Sequence, residues 1–155
     1  MASSDIIKEY QQLQKKHKLP DFEALDHDFE VSEIEGTVFL LRKIRDKMTE
    51  KLDFYANLLG MILQPDTNLA PLIECRAFSD DEKKDLFEVY RKLMYLCRSA
   101  TETTIAESPT EVSAWLLNSA SVWESIKKDL MKAVHKIAQS WKENLDMKTR
   151  LEYLG

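Results

Sequence analysis

The chain has 155 residues, a formal net charge of −5, an apolar fraction of 44% and a charged fraction of 32%. It is too apolar for a disordered chain and too charged for a membrane protein, and no apolar run approaches the roughly 20 residues that cross a bilayer. Only three glycines occur, Gly36, Gly60 and Gly155, so loops that cradle phosphates with glycine backbone are excluded.

The first segment carries Ile6, Tyr10, Leu13 and His17 at helical spacing, which predicts a short helix over 4–17. Met1 to Tyr10 lacks a basic head followed by an apolar stretch, so no secretory signal is expected. Leu19 to Asp28 contains Pro20 and reads as a connector with one helical turn.

Three capping boxes then announce helix starts. Ser32 precedes Glu35, Ser79 precedes Glu82, and Ser108 precedes Pro109 and Glu111. In each, the serine oxygen accepts from a free helical N–H and the glutamate reaches back, while proline suits the first helical position. The first long helix is predicted over 32–63, stopped by Pro65, with a heptad-like seam of Ile34, Val38, Leu41, Met48, Leu52, Tyr55, Leu59 and Ile62. Arg45 interrupts that seam, and either snorkels to water past Ile44 or meets a carboxylate from another helix. The stretch from Gln64 to Phe78, holding Pro65 and Pro71, is expected to be irregular.

The second long helix is predicted over 80–106, with Leu86, Val89, Tyr90, Leu93, Leu96, Cys97 and Ala100 on one face. The third runs over 109–143 on a stripe of Val112, Leu116, Trp123, Ile126, Leu130, Val134, Ile137 and Trp141, followed by a tail over 144–155. The expectation is one all-α domain: an antiparallel up-down bundle of three long helices plus the shorter N-terminal helix.

Chemistry is thinly written. None of His17, His27 and His135 has a glutamate three residues before it, so the di-iron pattern of helical bundles is missing. Carboxylates one helical turn apart could hold a divalent metal in a small all-α hydrolase: Glu30 and Glu33, with Asp81, Asp85 and Glu88. Against this, acids at the start of a helix complement its dipole, and Glu88 stands four residues before Lys92. Cys75 and Cys97 read as reduced thiols of a cytoplasmic protein, with Cys75 the more reactive beside Arg76. Arg42, Lys43, Arg45 and Lys47, and Lys127, Lys128, Lys132 and Lys136, make two basic faces that could serve a nucleic-acid accessory factor. No polybasic segment directs the chain to a membrane.

The favoured reading is a non-catalytic protein with no cofactor that binds another protein or itself. Its candidate surface is a second apolar line on the first long helix, Leu40, Phe54, Leu58 and Met61, turned away from the seam. The N-terminal helix is expected to cover that line. The tail, with Leu145, Met147, Leu151, Tyr153 and Leu154, offers a second docking element.

Overall fold

A computed structural model describes residues 2–142. Among them the chain is all-helical, with no strand: α1 (Ala2–Lys16), α2 (Phe22–Phe29), a 3-10 turn (Val31–Glu33), α3 (Leu40–Leu63), α4 (Leu69–Cys75), α5 (Asp80–Ala106) and α6 (Pro109–Lys142). No helix among the described residues is long and apolar enough to cross a membrane. The expected tail, and the last residue of the predicted third long helix, lie outside the described residues.

The three longest helices, α3, α5 and α6, pack on one another. Arg45, early in α3, meets Thr103, late in α5. Gly60, late in α3, lies against the ring of Tyr90. The α5–α6 contact is pinned where Trp115 Nε1 donates to the Leu96 carbonyl at 3.0 Å and to Ser99 Oγ at 3.1 Å. Lys136 reaches Glu82 at the other end of the same pair. Between them runs a continuous core of Met48, Leu52, Leu59, Leu93, Leu96, Leu116 and Ile126, all essentially without solvent contact.

Local chemistry explains the starts of α5 and α6. Ser79 and Glu82 form the full capping box of α5, and three acids, Asp80, Asp81 and Glu82, stand in its first turn, where the helix dipole favours them. The bond from Lys136, with the backbone N–H of Ser79, holds the Glu82 carboxyl down at about 2. At α6 the Glu111 N–H donates to Ser108 Oγ at 3.4 Å. Glu107 closes α5 in the left-handed region at φ 52.

The predicted start at Ser32 is wrong. Ser32 belongs to a 3-10 turn, its N–H donates to Asp26 Oδ1, and α3 begins eight residues later at Leu40. Gly36 (φ 76) and Phe39 (φ 54) both adopt left-handed backbone, which a helix cannot pass through. What outweighs the capping signal is burial: Val31 and Ile34 turn into the core. Val38, placed on the seam by periodicity, is instead 66% exposed.

Two further elements depart from expectation. The connector after Pro20 holds a two-turn helix, α2, capped by Asp21, whose carboxylate accepts from the Ala24 N–H. The stretch expected to be irregular contains α4, which packs on α3 and α6 through buried Pro71 and Ile73. Pro71 falls in the first turn of α4, where no intrahelical N–H bond is lost.

Arg45 is 5% exposed. Among the described residues its guanidinium pairs with Asp46 of its own helix at 3.0 Å rather than with a carboxylate from another helix, and it also meets Thr103 Oγ1 at 3.5 Å.

One buried polar atom is left over. Ser119 Oγ, in the middle of α6, has no hydrogen-bond partner among the described residues. Burying an unpaired hydroxyl is unfavourable, and alanine is also the better helix former. Ser119→Ala is therefore expected to stabilise the fold by roughly 1 kcal/mol, raising Tm by about 2–4 °C. A calorimetric melt reads this directly; an unchanged or lower Tm would mean that the hydroxyl is satisfied.

Candidate interaction surface

The line Leu40, Phe54, Leu58 and Met61 divides along α3. Leu40 is buried, at the end of α3 that shares a pocket with Leu13 of α1. It is a core residue and not part of an open surface. Leu58 is half-buried and packs on the core. Phe54 and Met61 are 65% and 53% exposed. Cover by α1 thus fails where it was expected to matter: α1 packs on the 3-10 turn and on α3, yet Phe54 and Met61 stay open.

Phe54 is exposed but not loose. Its ring meets Tyr55 edge-on at 5.4 Å. Tyr55 stacks on Trp123 of α6 at 5.8 Å, and Trp123 meets Phe29 of α2 at 5.4 Å. Four rings therefore run from α2 across α6 to the outer face of α3. Such pairs favour offset or edge geometry and add about 0.5–1.5 kcal/mol each beyond their buried area.

The chain of rings is anchored by a carboxylate that periodicity alone does not reveal. Asp28, at the end of α2, is 7% exposed. Its oxygens accept from Trp123 Nε1 at 3.0 Å, from Lys127 Nζ at 2.9 and 3.0 Å and from His27 Nδ1 at 3.0 Å. Its backbone carbonyl accepts from Lys51 of α3, and the Lys51 ammonium lies over the rings of Phe29 and Trp123. Burial pushes the Asp28 pKa up, but the hydrogen bonds from Lys127, His27 and Trp123 outweigh it, so the group lies below the ordinary aspartate value. The bond to Asp28 raises the pKa of Lys127 in turn. The only sequence hint of this clasp is an acid beside Leu25 and Phe29 on the buried side of α2.

The alternative metal residues are scattered. Glu30 closes α2 in left-handed backbone and Glu33 lies in the 3-10 turn. Asp81 stands 3.8 Å from Lys84. Glu88 pairs with Arg91 at 3.0 Å, not with Lys92. Asp85 and Glu88 do share a groove of about 510 Å³ between α5 and α6, but with Lys92, Lys132 and Lys136 interleaved. Among the described residues no three His, Cys, Asp or Glu side chains gather as a metal-holding group.

The basic faces are similarly broken up. Arg45 is buried, Lys43 donates to the Glu35 carbonyl, and Lys127 and Lys136 are bound to Asp28 and Glu82. Both cysteines are free thiols. Burial, with Asp53 nearby, pushes the Cys97 pKa up to about 11, against a smaller opposing pull from Arg98, which leaves it a poor nucleophile. Cys75 is half-buried at the end of α4.

No protein-family model, no curated protein and no solved structure matches the chain.

Proposed function

We propose that this chain is a non-catalytic interaction scaffold, an up-down bundle of α3, α5 and α6 with α1 as a shorter fourth helix, that docks a second copy of itself through the outer face of α3. The observation that supports this most is Phe54: a large ring, 65% exposed, held in place by Tyr55 and, through it, by Trp123 and Phe29. Binding hot spots favour pre-placed aromatic groups, because little side-chain freedom is then lost on docking. Met61, two helical turns along with half-buried Leu58 between, extends the same line. A single face that meets its own copy gives a two-fold contact, the commonest oligomer symmetry.

Light scattering across a wide concentration range tests this. The wild-type chain is expected to pass from monomer to dimer, and the double variant Phe54→Glu, Met61→Glu to stay monomeric. Both positions are exposed, so the variant's Tm should stay within a few degrees of wild type. A wild-type chain that remains monomeric at the highest attainable concentration overturns the self-docking reading.

A further inference from the structure

A second concavity lies at the opposite end of α3, where α1, α3 and α6 meet. Its volume is about 330 Å³, within the range of small-ligand pockets, which runs from roughly 300 to 1,000 Å³. Leu40, Leu41 and Val112 form a buried apolar floor, with half-buried Leu13 as one wall and exposed Phe39 as another.

The charges at its mouth do not balance. Arg42 and Lys16, with the ring of His17, line it against one carboxylate, Glu9. Neither Arg42 nor Lys16 forms an ion pair among the described residues. Lys16 has an ordinary structural account, because it sits in the last turn of α1, where a cation complements the helix dipole. Arg42 has no such account. It stands in the first turn of α3, which holds no acidic residue, so its charge adds to the positive end of that helix. Its guanidinium lies 4.7 Å over the ring of Phe39, a position that keeps it at the pocket wall. Arg42 and Lys16 carry one positive charge more than Glu9 offsets, and that excess, beside an apolar floor, complements a ligand with an apolar body and one anionic head.

We propose that this pocket binds a medium-chain fatty acid, its alkyl chain on Leu13, Leu40, Leu41 and Val112 and its carboxylate at the mouth with Arg42 and Lys16. Arginine suits that head because its planar fork can donate two parallel hydrogen bonds to one carboxylate. The site is separate from the Phe54 face, so the two proposals stand or fall apart.

The test is calorimetric titration of the full chain with octanoate, with 1-octanol as the uncharged control. Octanoate is expected to bind about tenfold more tightly than octanol, the value of one charge-assisted interaction near 1.4 kcal/mol. Arg42→Gln should remove most of that preference. Leu13→Trp, which fills the pocket, should weaken both. Octanoate that binds no better than octanol, that binds Arg42→Gln as well as wild type, or that gives no heat at millimolar concentration overturns the proposal. Arg42 is only half-buried, so its variant keeps the test valid even if Leu13→Trp fails to fold.

Discussion

Trp123→Ala is expected to destabilise the fold by about 4 kcal/mol, within the range for emptying a buried tryptophan site. Trp123 is 4% exposed and touches three groups on two neighbouring helices: the ring of Phe29 and the carboxylate of Asp28 on α2, and the ring of Tyr55 on α3. The truncation leaves a cavity between α2, α3 and α6 and deprives Asp28 of a donor. Urea denaturation measures the loss as a lower midpoint at unchanged slope. The neighbouring rings also lose their support, so Phe54 should become more mobile in the variant even where the fold survives. A loss below about 1 kcal/mol would mean that the helices close over the gap, contrary to the tight packing of protein interiors.

The second large effect belongs to Asp28. Breaking a buried ion pair by removing one partner typically costs about 3–5 kcal/mol. The Lys127 side chain is 38% exposed, so its stranded charge can reach water and the lower part of that range, near 3 kcal/mol, applies to Asp28→Ala. Asp28→Asn keeps an oxygen for Trp123 and is expected to lose about half as much. Acidity provides an independent check. The Asp28 pKa is lower in the folded chain than in the unfolded one. Its contribution is thus complete above the unfolded value of about 3.9 and is lost as the pH falls through the folded value. The stability gap between wild type and Asp28→Asn should therefore be widest near neutral pH and shrink in acid. A gap that is flat down to the acid transition would mean that the carboxylate is not charged in the fold. The effects of Trp123→Ala and Asp28→Ala overlap, because both delete the same hydrogen bond, and the double variant should lose less than their sum.

How much of this was legible depended on distance along the chain. The starts of α5 and α6 could be read because each is decided within four residues, by Ser79 with Glu82 and by Ser108 with Pro109 and Glu111. Ser32 and Glu35 present the same signal and fail, because Val31 and Ile34 gain more by entering the core than the cap would give. Pro71 was misleading for a related reason: a proline interrupts a helix interior but fits a first turn, and only the burial of Ile73 shows that a helix is there. The second apolar line on α3 is read from periodicity alone. Periodicity identifies a face without naming its neighbour, so it could not tell that Leu40 is covered while Phe54 and Met61 are not. The Asp28 clasp joins residues 95 and 99 positions apart, beyond the reach of any local pattern.

Among the described residues, three non-glycine residues, Glu30, Phe39 and Glu107, hold left-handed backbone where helices begin or end. Each such conformation costs an L-residue roughly 1–2 kcal/mol, so about 3–6 kcal/mol of local strain is held in connections rather than in the core. That is a large amount beside the 5–15 kcal/mol by which folded domains usually exceed their unfolded states. The chain thus keeps an unspent reserve of thermal tolerance in its reversals, open to glycine at Glu30 or Glu107 without touching either proposed binding surface. Phe39 is the exception, since its ring is also a wall of the α1–α3–α6 pocket.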